Sequence, residues 1–243
     1  MFDLAFVLLD QPRHVSDAAV VAAAAELGLT LSPRSEASPR AFTLPEGELY
    51  LMSIDAPHPD AQHAAHGPLA APIEVVQSAR AHLIVTARNL PGDLKARRRT
   101  LLLLTAAVTR AFDAVAVIFG EGVIFHRPGL VIDFAALAAE TGELPLEMAV
   151  DITVARESDT RMSFLTHGLA QHGSEDLLVT CPIEGRGALD FVLGVARWFF
   201  RDPELRLPTG DTLGRDASER VPIQRVPSPV DPERIVVRLD LPS

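Results

Sequence analysis

The chain is poor in the residues that make cross-links or covalent chemistry. Its 243 residues include one cysteine (Cys181), one lysine (Lys95), one tryptophan and one tyrosine, and aromatics make up only 5%. A single thiol excludes an internal disulfide and any zinc site built on thiolates. Long apolar runs are missing too. Leu4 to Leu9 is bracketed by Asp3 and Asp10, and Leu101 to Val108 is interrupted by Thr105. Neither approaches the ~20 residues that span a bilayer. No cationic segment precedes Leu4, so that run does not read as a signal peptide. The expected setting is the cytoplasm, with no membrane partner. Positive charge is also short: 22 Lys and Arg against 32 Asp and Glu leave a formal net charge of -10. Such a chain repels phosphate over most of its surface, which excludes general nucleic-acid binding but not a basic protein partner. Arginine supplies 21 of the 22 cations, which in so alanine-rich a chain reads as a GC-rich coding bias.

What is present is an ordinary globular composition, 48% hydrophobic and 22% charged. Asp3 to Asp10 reads as a buried strand. Ser16 stands at an N-cap position, Val20, Val21, Ala24 and Leu27 follow at helical spacing, and Gly28 ends that helix. The Ser/Pro/Arg-rich stretch 32–46 reads as a mobile loop. Leu49 to Ile54 is a strand, Ile73 to Arg80 a short helix, and Ala81 to Ala87 another buried strand. A long helix follows Pro91-Gly92, with Leu94, Leu101, Leu104, Val108 and Phe112 on one face. Ala114 to Phe119 is a strand and Ile132 to Glu140 a helix closed by Gly142.

Beyond Gly142 the rhythm changes. Val150, Ile152 and Val154 alternate with Asp151 and Thr153, as in a sheet with one solvated face. A turn at 157–160 leads to Met162 and Phe164 as the hairpin partner. Leu177, Val179 and Cys181 alternate again, Gly187 to Phe200 is an amphipathic helix, and Ile235, Val237 and Leu239 close the chain. The fold class expected is α/β (α+β), with mixed or antiparallel sheets packed on helices. Its two parts are an N-terminal α/β half, 1–142, and a C-terminal β-hairpin/helix half, 143–243. They form either a closely packed pair or one continuous domain with a shared sheet.

Candidate chemistry is sparse. His58, His63 and His66 fall within nine residues, a ligand-rich set for a divalent metal, but their spacing is not helical and the stretch is rich in Pro and Ala. No metal and no cofactor is expected there. Cys181 with His167 or His172 suggests a nucleophile and base. Cys181 also continues the inward series of Leu177 and Val179, where a lone cysteine acts as a small hydrophobe. Gly210-Asp211-Thr212-Leu213-Gly214 imitates a G-x-S-x-G elbow without the apolar strand before it or the helix after it, and reads as a turn. Arg97, Arg98 and Arg99 fan around a helix and read as a solvated face. No catalytic residue is assigned.

The acidic residues are distributed less evenly. No basic residue lies between Arg127 and Arg156, whereas Asp133, Glu140, Glu143, Glu147 and Asp151 all do. Glu140, Glu143, Glu147 and Asp151 are therefore candidate partner-binding residues, a negative patch that would steer a basic protein.

Four segments in order also carry a resemblance: AHLIVTA at 81–87, GELPLEM at 142–148, THGLAQHG at 166–173 and GDTLG at 210–214 before VPIQRV. Together they resemble a bacterial domain family of unknown function associated with type VI secretion and toxin immunity. The resemblance implies an α/β protein without a recognised catalytic set. Its implied role is a non-enzymatic immunity protein that binds and neutralises a cognate toxin, a nuclease-like effector, in the cytoplasm. Gly168, Gly173, Asp211, Thr212 and Gly214 match recurrent positions and, with Gly210, read as turn residues, glycine for positive φ and Asp or Thr closing a turn through the side chain. His167 departs from the family, where an aromatic is commoner. Two other function classes fit the residues: a secretion-associated adaptor, and a metal- or cysteine-dependent hydrolase.

Overall fold

The bracketed apolar run at the N-terminus becomes strand β1 (Phe2–Leu9), and helix α1 (Asp17–Ala25) with Gly28 beyond it follows the sequence closely. The Ser16 hydroxyl accepts from the Ala19 N–H at 3.3 Å, and Gly28 takes φ +74° past the helix end. This is a computed structural model, describing residues 2–34, 39–120, 122–184, 187–202, 204–214 and 219–242. It divides into two compact units. The first comprises Met1–Ala65 and Leu69–Met148, the second His66–Pro68 and Ala149–Ser243.

The stretch 32–46 is a correction. Strands β2 (Ser32–Arg34) and β3 (Arg40–Leu44) form there, and β3 returns as β4 (Gly47–Ile54) through Pro45-Glu46; residues 35–38 lie outside the described residues. Ala41 and Phe42 of β3 are buried, and Phe42 faces Leu49 across the ladder. Composition hid the hairpin because β2 is a wholly exposed edge carrying Pro33, a place where proline's missing donor does no harm.

Helix α2 (Ile73–Ser78), strand β5 (Ala81–Arg88), helix α3 (Leu94–Phe112), strand β6 (Ala116–Phe119) and helix α4 (Pro128–Thr141) complete the first unit's main elements. Its six-stranded sheet runs β2-β3-β4-β5-β1-β6, antiparallel throughout. On one face Ala5, Val7 and Leu9 of β1 stand opposite Val85, Leu83 and Ala81 of β5, none more than 2% exposed. The other face of β1 carries Leu8, which packs with Ala61, Val76, Ala116, Ile118 and Phe125. The outer edge of β6 is closed by Val117 and His126 exchanging main-chain bonds of 3.1 and 2.6 Å.

Helix α3 packs against β1, α1 and α4. Asp93 caps it, accepting from the Ala96 N–H at 2.9 Å. The arginine run expected on a solvated face is instead half-buried. The Arg97 Nε donates to the Asp3 carboxylate at 3.3 Å, and the Arg99 Nε to the Ala138 carbonyl at 3.1 Å. Leu101 to Thr109 of α3 are all buried, so nearly its whole circumference is covered along the middle, a pattern that an amphipathic stripe underestimates.

The one-turn helix α5 (Leu146–Ala149) leads to the second unit's strands β7 (Asp151–Arg156), β8 (Arg161–His167) and β9 (Leu177–Pro182), then helix α6 (Ala188–Arg201) and strands β10 (Thr212–Leu213), β11 (Val221–Pro227) and β12 (Ile235–Asp240). The sheet order is β10-β11-β12-β9-β8-β7, with β12 and β9 parallel and the remaining pairs antiparallel. Leu177, Val179 and Cys181 share a face with Phe164, Val237 and Leu239, and α6 packs on β8 and β9 with Phe191, Val192, Val195, Ala196 and Phe199 buried. Each such fully buried Leu, Val or Phe contributes roughly 1.5–3 kcal/mol. Edge strand β7 takes a main-chain bond from its Val154 N–H to the His66 carbonyl, 2.9 Å, which is why 66–68 belongs to this unit. The chain is therefore an α+β protein, with six helices and two mostly antiparallel sheets among the described residues. Among the described residues the two sheets have no strand in common. Among the described residues no helix is long and apolar enough to cross a membrane.

Candidate functional site

Of the four acids expected to form a patch, two lie on the surface. Glu140 is in the last turn of α4 and Glu143 follows one residue after Gly142; both are exposed. Glu147 in α5 is half-buried. Asp151 is only 9% exposed, the first residue of β7 and opposite His167 in the ladder, so it is not a surface contact. The two exposed carboxylates sit where the fold least favours them. A helix C-terminus carries about half a negative charge from its unpaired carbonyls, and anions beside it are unfavourable by about 0.3–1 kcal/mol each. No basic residue occupies the last turn of α4. The Arg99 guanidinium donates to the Ala138 carbonyl there. Among the described residues neither Glu140 nor Glu143 forms an ion pair. Both carboxylates therefore face water beside the negative end of α4.

The THGLAQHG stretch centres on an acid that sequence reasoning missed. Asp176 is 8% exposed and its carboxylate accepts from the Thr166 hydroxyl at 3.1 Å and the Leu169 N–H at 3.0 Å. Thr166 in turn accepts from the Leu177 N–H at 2.8 Å. These bonds tie the end of β8 and the 3-10 turn Leu169–His172 to the start of β9. Burial pushes the Asp176 carboxyl upward, and the bonds from Thr166 and Leu169 pull it back. The only mark of Asp176 in the sequence is its place directly ahead of the apolar run from Leu177. Gly168 is needed here: it takes φ +123°, and a Cβ on it would meet the Ala149 carbonyl oxygen at 2.8 Å.

His167 lies beside this network. Its Nε2 is 3.0 Å from the Thr153 hydroxyl, whose own proton goes to the Leu165 carbonyl at 3.3 Å. In that arrangement the imidazole donates to Thr153 rather than accepting its proton, the reverse of nucleophile activation. Burial holds the ring's pKa below its usual value, against Asp176 and Asp151, which favour the cation, and with Arg234, which disfavours it.

The other candidates do not converge. Cys181 is 1% exposed and lies on the α6 face of the sheet, opposite Met162, whereas His167 is on the other face at the far end of β8. Five residues of strand separate those positions, roughly 16 Å. His172 is buried edge-on against the Phe200 ring at 4.8 Å. His58 is buried among Phe6, His82 and Phe125, His63 is exposed, and His66 is exposed in the second unit. Among the described residues no group of three His, Cys, Asp or Glu is placed to hold a metal ion. In the GDTLG segment Gly210 takes φ +94° and Gly173, at the other motif, φ +87°. Its closing bonds are main-chain: the Gly210 N–H to Ile223 O at 3.0 Å, and the Ile223 N–H to Asp211 O at 2.9 Å. Thr212 is a strand residue of β10 rather than a turn residue, which corrects its expected role. Gly214 lies within 2.4 Å, by its ideal Cβ, of the Glu219 carbonyl oxygen, so only glycine fits. Comparison with known proteins found no matching family model, no matching curated protein and no matching solved structure.

Proposed function

We propose that this chain is a non-enzymatic immunity protein, which binds a cognate type VI secreted effector with a nuclease-like toxin domain and neutralises it in the cytoplasm. The observation that carries the reading is the acidic end of α4. Glu140 and Glu143 are kept exposed at the negative end of a helix, a placement that opposes stability and is explained by use. A nuclease works on a polyanion and presents a basic surface to it, so a concentrated acidic end on an acidic chain suits such a partner. The ordered segments that resemble a toxin-immunity family support the same reading. The polar groups of the THGLAQHG stretch, bonded among themselves, act here as fasteners of the second sheet.

The test is to mix the purified chain with the effector encoded beside it. A stable complex by calorimetry, loss of nuclease activity and rescue of cells expressing the toxin are expected together. Absence of a complex overturns the proposal. A complex that leaves the nuclease active assigns the chain to the adaptor class instead.

A further inference from the structure

His58 and His82 are buried, 5% and 6% exposed, with ring centroids 5.2 Å apart in a T-shaped contact. His58 also meets Phe6 edge-on at 4.6 Å and Phe125 at 5.6 Å. The His82 Nδ1–H donates to the Ala56 carbonyl at 2.8 Å, and the His58 Nδ1 accepts from the Asp60 N–H at 3.2 Å. These contacts fasten residues 56–64, with the 3-10 turn Pro59–His63, over the β1 face that carries Phe6 and Leu8. Ala61 and Ala64 of the stretch pack into the cluster with Leu8, Ile118 and Phe125.

We propose that the stretch 56–64 is a histidine-fastened cover over an apolar patch of the first sheet, closed at neutral pH and released in mild acid. The mechanism follows from the Nδ1 of His58. As an acceptor it must be unprotonated, so a proton there sets N–H against the Asp60 N–H and places a cation among Phe6, Phe125 and a second imidazole. The titratable groups facing His58 are His82 on β5, which opposes the cation, and Asp60 on its own turn, which favours it. Strand β1 and the segment before α4 present the rings of Phe6 and Phe125. Burial is the largest influence, and with His82 it holds the ring of His58 below its ordinary pKa. The sign is therefore clear. Once released, His58 takes up a proton near pH 6.5 that the closed form refuses, so closure weakens as pH falls below that value.

Hydrogen exchange of the full chain at pH 7.5 and 5.5, with labelling times scaled for intrinsic rates, reads this directly. Protection across 56–64 is expected to fall by up to about ten-fold in acid, while peptides from 101–108 of α3 keep theirs. His58→Phe keeps a ring in the box and removes the proton site, so its 56–64 protection should not respond to pH. Unchanged protection in the wild-type chain overturns the proposal, as does a parallel loss in α3 or an acid response that survives in His58→Phe.

Discussion

Reversing the two exposed glutamates at the end of α4 separates use from stability. Glu140→Lys with Glu143→Lys replaces two anions at the negative helix end by two cations, beside the contact from Arg99 to the Ala138 carbonyl. At exposed helix ends each such charge counts for about 0.3–1 kcal/mol, so after solvent screening the double variant should be more stable by roughly 1 kcal/mol. In a chain of this size that raises the first unit's melting midpoint by about 2–4 °C. Binding should move the other way. The formal charge of -10 becomes less negative by four units, and association with a basic effector should slow by about ten-fold at low salt. Stopped-flow association at roughly 0.02 and 0.5 M salt makes the cause visible, because screening at the higher value confines charge effects to about 4 Å. The same reversal at Glu157 and Glu184, both exposed in the second unit, is the control. An unchanged on-rate at low salt, slowing that persists at high salt, or equal slowing by the control pair would each refute the argument.

Asp176→Ala leaves the Leu169 N–H and the Thr166 hydroxyl without their buried acceptor, and should lower the second unit's stability by about 2–3 kcal/mol, measured by urea denaturation with Trp198 fluorescence. Gly168→Ala forces a side chain to φ +123° against the Ala149 carbonyl and should cost about 2 kcal/mol or more, whereas Gly142→Ala, at φ +75° in open space, should cost about 1 kcal/mol; thermal melts of both distinguish them. Because burial depresses the His167 pKa, the unfolded chain binds a proton that the folded unit refuses. The second unit should therefore lose stability as pH falls below about 6.5, by at most roughly 1.4 kcal/mol per pH unit, and His167→Gln should flatten that part of the profile. Cys181, buried on the α6 face, should react with a thiol reagent only on unfolding; rapid reaction of the native chain would revive the cysteine-hydrolase reading.

Much of the local structure was legible in the sequence because it depends on near neighbours. The Ser16 cap, the left-handed Gly28 and Gly142, and the alternation of Leu177, Val179 and Cys181 each record a constraint spanning a few residues. The hairpin within 32–46 was hidden because its burial comes from strand partners such as Leu49, while its own edge is polar and proline-bearing. The arginine run was misread for a related reason. Asp3 and the Ala138 carbonyl, its acceptors, lie 94 and 39 residues away.

The candidate sites divide along the same line. Composition and charge distribution, which are properties of the chain itself, determined that the molecule is acidic and that Glu140 and Glu143 stand in a stretch empty of cations. Only the tertiary structure decided that Asp151 is buried, that Cys181 and His167 face opposite sides of one sheet, and that His58 meets His82 rather than His63 and His66. Side-chain chemistry is written residue by residue, but which groups meet is set by strand register and by what covers each face, and those are fixed by contacts between residues far apart in the chain.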